Sequence, residues 1–198
     1  VLVVDDNSPD GTAAQVRARF EDSGVVRLFV RTEGRGLATA IAYGIRRAQG
    51  ECVAVMDTDF NHDPAMLPQM VRFLEYYDII IGSRFVMGGG MEQLWRYNAS
   101  FLFNLFVRVV LRTQIQDNLC GFFTMHRDKL LTMDIDRIFV GYGDYFMHLL
   151  FLAWRAKYTM LEVPTFYILR KHGSSKSRFL HMLYSYTKAA ILIRLGKR

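Results

Sequence analysis

The fold is decided by the stretch Cys52-Val53-Ala54-Val55-Met56-Asp57-Thr58-Asp59-Phe60-Asn61-His62-Asp63-Pro64, in which five apolar residues run directly into an acidic cluster. A continuous apolar run bounded by polar residues is typical of a strand buried on both faces, as in a parallel sheet covered by helices. Asp57 and Asp59 would follow this strand at its carboxyl end. Because ligands bind outside the carboxyl ends of strands in open α/β sheets, these two carboxylates are candidate ligand-binding groups.

The spacing of Asp57 and Asp59 favours a metal site. Residues i and i+2 of an extended segment project to the same side, so two carboxylates can converge on one hard divalent cation, with the amide of Asn61 as a third oxygen ligand. Mg²⁺ or Mn²⁺ held by carboxylates and substrate phosphates is the expected chemistry. The alternative is that the acidic cluster caps the next helix, but Asp63 followed by Pro64 meets that need alone.

Other parts of the chain repeat the pattern of apolar strand, polar turn and helix. Strands are predicted over residues 1–4, 25–30 and 78–84, and helices over about 12–20, 36–49 and 64–76. This repetition predicts a doubly wound α/β sheet. A chain of 198 residues with 51% hydrophobic and 22% charged residues is long enough for one globular domain with a substantial core.

Charge and cysteine content narrow the classes of partner and compartment. The net charge of +6 and the sequence pI of 9.4 indicate an anionic partner: a nucleotide, a phospholipid surface or a nucleic acid. Only two cysteines occur, and Cys52 lies in the predicted central strand, so no disulfide framework is expected and a reducing compartment is favoured. No stretch resembles a signal peptide, and no uninterrupted apolar run is long enough to span a membrane.

Two further residues are candidate nucleotide contacts. Asp6 follows the first strand, where it could hydrogen-bond a nucleotide base or ribose, although ordinary turn chemistry is the alternative. Arg35, in the loop Gly34-Arg35-Gly36, could reach a diphosphate, or it could be a solvated loop arginine.

An ordered set of motifs covers nearly the whole chain. These motifs are residues 3–12, 36–40, 56–64, 82–86, 88–90, 95–96, 121–122, 162–164 and 170–176. Taken together in this order and spacing, they are similar to glycosyltransferase family 2, and within it to the dolichol-phosphate or polyprenyl-phosphate mannosyltransferase group.

The resemblance implies a GT-A-like fold, with a mostly parallel sheet and helices on both faces. It implies transfer of a sugar, mannose by preference, from a nucleotide-sugar to a polyprenyl or dolichyl phosphate with inversion of configuration at the anomeric carbon. It also implies a divalent metal bound by Asp57, Asp59 and Asn61. The family's first, central strand has no counterpart here, so an opening in the sheet between its neighbours is expected. We therefore expect an N-terminally incomplete catalytic domain over residues 1–178 and an amphipathic basic helix over residues 179–198.

The proposed reaction needs cations that hold two anionic partners together. A phosphate acceptor is already anionic, so it needs no strong general base. The candidate phosphate-binding residues are Arg84, Arg96, Arg170, Ser175 and Lys176, and among them Arg84 and Arg170 are expected to act with Asp59 in catalysis. The alternative for each of these cations is a solvated surface position, which competes most strongly at Arg96.

Two aromatic, basic segments suggest a membrane surface as a partner. Residues 94–111 and 179–198 combine apolar side chains with arginine and lysine, as in helices that lie in the headgroup region. The alternative is that both helices cover the sheet as part of the core. The expected location is the cytoplasmic face of a membrane, attached peripherally, with a spanning extension in a longer parent protein left open.

Other functions stay open at this point. A family 2 enzyme could instead use UDP-glucose or a sugar acceptor, with Asp144 as the base that a sugar hydroxyl requires. An inactive nucleotide-binding fragment is the non-enzymatic alternative. A nucleic acid is not an expected partner, because the acidic cluster would repel it.

Overall fold

The computed structural model of the chain describes residues 1–168 and 179–197, without the side chains of residues 179–181. The strands are β1 Leu2–Asp5, β2 Arg27–Val30, β3 Cys52–Val55, β4 Ile79–Ser83, β5 Gly90–Met91, β6 Phe123–His126, β7 Met160–Pro164 and β8 Phe166–Tyr167. The helices are α1 Thr12–Phe20, α2 Leu37–Arg47, α3 Leu67–Phe73, α4 Leu94–Leu111, α5 Arg127–Thr132, α6 Ile135–Ile138, α7 Tyr145–Arg155 and α8 Phe179–Arg194. The predicted strands and helices are all present, most of them with slightly shorter ends.

The largest sheet has the strand order β3-β6-β4-β7. Strand β4 pairs parallel with β7, whereas β6 is antiparallel to both β3 and β4. Two strands that are both antiparallel to a third run in the same direction, so β3 and β4 end at the same edge of the sheet. That shared edge is where the candidate site lies. The sequence analysis did not identify β6 as a strand.

Burial differs sharply between β3 and β4. All five residues of β4 are buried, and three of them form the run Ile79-Ile80-Ile81. In β3, Val53 is buried but Ala54 is exposed. Alternate residues of a strand project to opposite faces, so Val53 enters the core while Ala54 lies towards solvent. The prediction that β3 is buried on both faces is therefore wrong at Ala54, and β4 is the strand with that property.

Strands β1 and β2 form a separate parallel pair, in which Leu2 is opposite Arg27. Helix α2 connects this pair to the main core. Its residues Ala38, Ala42 and Ile45 pack in the same cluster as Val53, and a Cβ atom at Gly44 would lie 3.5 Å from Val4 Cγ2. Among the described strands, β1 and β3 do not pair with each other. The family resemblance predicts an opening in the sheet at this position.

A second cluster of buried residues joins three helices. Helices α4, α7 and α8 share the buried residues Val107, Leu111, Met147, Phe151, Tyr186, Ala189, Ala190 and Ile193. Helix α4 spans the predicted segment, and α8 packs against α4 and α7. The division of the chain after residue 178 stays a prediction. Within the described ranges, every helix is too short or too polar to traverse a bilayer.

Candidate active site

The loop that follows β3 folds back on itself at the edge of the sheet. Phe60, which is 71% exposed, has a φ of 62°, an unusual left-handed conformation for a bulky residue. This turn lets Asn61 donate from its backbone nitrogen to Asp59 Oδ1 (3.2 Å) and from Nδ2 to Asp59 Oδ2 (2.6 Å). Asn61 Nδ2 also lies 2.6 Å from the hydroxyl of Tyr167 in β8. Asp59 is thereby held in a fixed orientation, while Asp57 is exposed.

The donor atoms in this loop fit a hard divalent cation. Two carboxylates and an amide oxygen are the ligand types that Mg²⁺ and Mn²⁺ take, together with substrate phosphates. Because the nitrogen of the Asn61 amide is engaged, its buried Oδ1 is left without a hydrogen-bond partner among the described residues. The same residues contain no group of three or more His, Cys, Asp or Glu side chains that could hold a metal unaided. A metal here would take its remaining ligands from water or from oxygens of the substrate.

Asp63 has the separate role expected for it. Its carboxylate accepts a hydrogen bond from the backbone nitrogen of Ala65 (2.9 Å), and Pro64 is the first residue of a short 3-10 helix that leads into α3. The sequence-based expectation that Asp63 alone caps this helix is confirmed. Asp57 and Asp59 are not needed for the cap.

At the end of β4, Arg84 forms a buried ion pair with Asp117. Arg84 Nε and Nη2 each lie 2.7 Å from a different carboxylate oxygen, and the Arg84 backbone nitrogen donates to Oδ2 at 3.1 Å. Burial would lower the pKa of Arg84, but the charge and hydrogen bonds of Asp117 raise it above its ordinary value. Glu162 in β7 accepts from the backbone nitrogens of Gln116 (2.8 Å) and Asp117 (2.9 Å). Arg84 is thus part of a network that fixes the loop before β6.

His62 lies between the two strand ends. Its ring stacks on Phe122 with a centroid distance of 4.9 Å and meets Tyr167 edge-on at 5.5 Å. Its Nε2 is 3.9 Å from Cys120 Sγ. Burial, followed by the nearby charge of Arg84, lowers the pKa of His62 to about 4. The ring is therefore neutral at pH 7.

Asp57 influences groups from three other segments. Burial is the main cause of the raised pKa of Tyr145, and the charge of Asp57 adds to it. The same charge contributes to the raised pKa values of Cys120 and Tyr186. Asp144, only 6% exposed, accepts a hydrogen bond from the backbone nitrogen of Tyr142 (2.8 Å). Cys120, Tyr145 and Tyr186 are therefore within electrostatic range of Asp57.

The structure gives Asp6 a local role. Arg31 donates from Nε to Asp6 Oδ1 (2.7 Å), and the backbone nitrogen of Gly36 donates to Asp6 Oδ2 (2.7 Å). Asp6 therefore joins the ends of β1 and β2 to the start of α2. Its contact with a nucleotide remains a prediction, as does that of Arg35, which is exposed.

The predicted phosphate-binding cations are distributed unevenly. Arg84 is buried, whereas Arg96 is exposed with its guanidinium 5.3 Å from the centre of the Trp95 ring. Arg170, Ser175 and Lys176 lie outside the described residues. The structure thus brings Asp57, Asp59 and Asn61 into one loop and places Arg84 at the end of β4, on the same edge of the sheet.

Sequence reasoning missed several residues that build this site. Asp117, Tyr167 and Tyr186 are single polar residues far along the chain from their contacts, so no periodic pattern identifies them. His62 was part of the opening stretch, but nothing in the sequence showed that it would be buried between two strand ends.

The mixed α/β sheet, with acidic residues at the shared edge of β3 and β4, has the architecture of GT-A-like glycosyltransferases. The chain belongs to glycosyl transferase family 2, whose model matches residues 1–133. The resemblance stated from the sequence is confirmed, and the chain is a glycosyltransferase by family.

Two relatives carry the names of the group that the sequence indicated. An undecaprenyl-phosphate mannosyltransferase from Micrococcus luteus is 35% identical over 183 residues, which are 89% of this chain and 74% of that protein. A dolichol-phosphate mannosyltransferase from Pyrococcus furiosus is 30% identical over 186 residues, 89% of this chain and 50% of that protein. The chain thus spans half to three quarters of the length of these relatives.

The solved structures support the fold. Glucosyl-3-phosphoglycerate synthase from Mycobacterium tuberculosis, in complex with Mn²⁺, uridine diphosphate and glucosyl-3-phosphoglycerate, superimposes with a TM-score of 0.72 at 18% sequence identity. The match covers all of this chain and 69% of that one. At this identity the similarity establishes the GT-A-like fold and nothing finer.

Proposed function

We propose that this protein transfers mannose from a nucleotide-sugar donor to a polyprenyl or dolichyl phosphate with inversion, in a reaction that depends on a divalent metal. The observation that carries the proposal is that relatives named for this reaction match 89% of the chain at 30 to 35% identity. The carboxylates at the end of β3 support it, because they are suited to a metal bound to a diphosphate.

Asp57, Asp59 and the free oxygen of Asn61 would hold Mg²⁺ or Mn²⁺. When bound, such a cation supplies Lewis-acid neutralisation of the charge that develops on the leaving nucleoside diphosphate. The hydrogen bonds from Asn61 keep Asp59 oriented without using all of its lone pairs, so the carboxylate can still coordinate. The loop is therefore preorganised for this role.

The acceptor itself supplies the nucleophile. A phosphate oxygen attacks the anomeric carbon on the face opposite the diphosphate, a new carbon–oxygen bond forms, and the bond to the nucleoside diphosphate breaks. The configuration at that carbon inverts. Since the attacking oxygen is already anionic, the protein's task is to orient the two phosphates and reduce their repulsion, and no side chain has to remove a proton.

The cations proposed for this task are Arg84, Arg96, Arg170 and Lys176, with Ser175 as a hydroxyl donor. Arg84 can reach a phosphate only through its remaining N–H groups, because Asp117 binds its Nε and one terminal nitrogen. Exposed Arg96 is unrestricted in this way and lies at the start of α4. Asp6 and Arg35 are proposed to contact the nucleotide.

The outer face of α4 supports attachment to a membrane surface. Trp95, Leu102, Leu105 and Val109 repeat at helical spacing and are 43 to 70% exposed, whereas Val107 and Leu111 on the inner face are fully buried. The exposed part of α8 carries both apolar and basic side chains, which are Leu183, Tyr184, Lys188, Ile191 and Arg194, and exposed Lys197 follows the end of the helix. Each helix thus covers the core with one face and offers an interfacial surface with the other.

This surface suits the proposed acceptor. The phosphate of a polyprenyl phosphate lies at the level of the lipid headgroups, so an enzyme that uses it gains from binding at that level. We place the protein peripherally at the cytoplasmic face of a membrane. The nucleotide-sugar is then drawn from the aqueous side.

A transfer assay tests the proposed reaction. The chain is incubated with GDP-mannose or UDP-glucose as the donor, with undecaprenyl phosphate in vesicles or a free sugar as the acceptor, and with Mn²⁺ or a chelator. We expect mannosyl-lipid to form only with GDP-mannose and metal. Formation of glucosyl-lipid would change the assignment of the donor to UDP-glucose. Product only with a free sugar acceptor would favour the alternative with Asp144 as base, and no product in any arm would reject the proposal.

Flotation with vesicles tests the membrane attachment separately. We expect the chain to float with anionic vesicles at low salt and to keep part of this binding at about 1 M salt, where electrostatic attraction is screened within about 3 Å. Leu102→Glu should reduce flotation, whereas Tyr76→Phe, at an exposed position in the turn after α3, should not. Equal flotation of the wild type and Leu102→Glu would contradict the assignment of this face.

A further inference from the structure

Tyr186 connects helix α8 to the candidate active site. Its ring packs in the cluster formed by α4, α7 and α8, and the residue is 8% exposed. A Cβ atom built on Gly143 would overlap the Tyr186 hydroxyl oxygen and lie 3.3 Å from the ring carbon that carries it. The hydroxyl therefore rests directly against the turn of residues 141–144.

Glycine at position 143 is explained by this contact. Gly143 is not among the residues with positive φ, so its backbone conformation is open to any L-amino acid. What excludes a side chain is the Tyr186 hydroxyl. The small residue in the turn and the tyrosine on the helix are thus complementary, although 42 residues lie between them in the sequence.

The turn against which Tyr186 rests leads into the site. It carries Asp144, whose carboxylate accepts from the backbone nitrogen of Tyr142, and it ends at Tyr145, the first residue of α7. Tyr145 is buried, with its hydroxyl oxygen 3.1 Å from the position of a Cβ atom on Gly121 in the loop before β6. Burial, then the charge of Asp144 and also that of Asp57, raises the pKa of Tyr186, so its hydroxyl stays protonated at pH 7.

We propose that Tyr186 is a positioning residue of the transfer site: its hydroxyl holds the turn of residues 141–144 in place, and with it Tyr145 against the loop before β6, whose Cys120 lies beside His62 in the loop where the metal-bound diphosphate is expected. This inference rests on the proposed function. It also makes α8 part of the catalytic unit, because the helix whose outer face is assigned to the lipid surface supplies this contact from its inner face.

Three variants test the contact: Tyr186→Phe, Gly143→Ala and the double substitution. The measurement is Mn²⁺-dependent binding of GDP by isothermal titration, at a temperature well below the unfolding midpoint of every variant. We expect binding to weaken about tenfold or more in Gly143→Ala, because the added methyl group displaces the tyrosine or the turn. Tyr186→Phe should weaken binding about threefold to tenfold. The double variant should bind no more weakly than Tyr186→Phe, because loss of the hydroxyl makes room for the methyl group.

Tyr76→Phe serves as the control, since this tyrosine is exposed and lies in the turn after α3, outside both the loop after β3 and the turn of residues 141–144. Lower unfolding midpoints with unchanged GDP binding would overturn the proposal, because Tyr186 would then only stabilise the fold. The proposal would also be overturned if the loss of GDP affinity in the double variant equalled the product of the losses in the two single variants. If the wild type binds no nucleotide, this role and the proposed function both fail. If the wild type binds GDP but transfers no sugar to undecaprenyl phosphate, only the acceptor assignment fails, and the titrations still decide the role of Tyr186.

Discussion

Strands β3 and β4 end at the same edge of the sheet, but the charged residues that follow them are in opposite environments. After β4, Arg84 is paired inside the protein with Asp117, which is fully buried. After β3, Asp57 is exposed and Asp59 is half-buried, held by hydrogen bonds from Asn61. The first arrangement satisfies a cation internally, and the second presents carboxylates at the surface.

This difference separates a cation whose main contacts lie within the protein from carboxylates that are open to a ligand. A buried pair is held rigidly by two hydrogen bonds, and its geometry fixes the loop that leads to β6. Carboxylates at a solvated edge cost little desolvation energy and remain able to take up a cation with a ligand. The following predictions test whether the two strand ends can be separated in this way.

The largest effect is expected from breaking the buried pair. Asp117→Ala should reduce the free energy of unfolding by about 3 to 5 kcal/mol, because it leaves the Arg84 guanidinium buried without its partner. Urea denaturation measures this loss. Arg46→Ala is the matched control, since its pair with Asp136 is exposed and should contribute less than about 1 kcal/mol. Equal losses in the two variants would mean that the buried pair has no special structural role.

The next effect is a dependence of stability on pH that arises from His62, which lies between the two strand ends. Burial and the charge of Arg84 lower the pKa of His62 from 6.5 to about 4 in the folded protein. As the pH falls through 6.5, the unfolded chain binds a proton that the folded chain does not bind until about pH 4. The free energy of unfolding should therefore decrease from pH 6.5 to pH 4, by up to about 3 kcal/mol, and this contribution is constant above pH 7.

Comparison of the wild type with His62→Gln isolates this contribution. Unfolding is followed in urea at several pH values between 4 and 7.5. The difference in unfolding free energy between the two proteins should shrink as the pH falls. A difference that stays constant over this range would show that His62 is not the group responsible.

The smallest effect on stability, and the most specific effect on binding, is expected from Asp59→Asn. The substitution keeps the shape of the side chain and an oxygen that can accept a hydrogen bond from Asn61, so the unfolding free energy should change by less than about 1 kcal/mol. Mn²⁺-dependent binding of GDP should weaken about tenfold or more, which is about 1.4 kcal/mol. The nearby Asp63→Asn is the control, because Asp63 caps a helix and should not affect the nucleotide. Unchanged affinity in Asp59→Asn would remove this residue from the metal site.

The sequence was informative where a feature is local. Apolar runs identified β1, β3 and β4, and the carboxylates at the end of β3 were recognised as candidate ligands because they follow such a run. Strand β6 was missed because Phe123-Thr124-Met125-His126 alternates apolar and polar residues over only two periods, and so lacks the continuous apolar run that identified the other strands. The exposure of Ala54 also could not be predicted from the sequence, since a continuous apolar run does not show which face of the strand is covered.

Contacts between distant residues were the least predictable part of the site. Arg84 was expected to bind phosphate from its charge, but its partner Asp117 lies 33 residues further along the chain. The same holds for Tyr186 and Gly143, which no spacing rule connects. Such pairs depend on how the sheet is assembled, and the order of its strands differs from their order in the chain.

The position of β6 has a consequence for how the protein folds. Phe123 is opposite both Val55 and Ile81, so among the described strands β3 and β4 are joined through a strand that is synthesised after both of them. On the ribosome, about 40 further residues must be synthesised after β4 before β6 is available to pair with it. Contacts of such long range are formed slowly. During that interval the chain carries two strands with open edges. Nascent chains of this protein should therefore be most dependent on chaperones before β6 emerges, and a defect confined to β6 should appear first as a lower yield of folded protein.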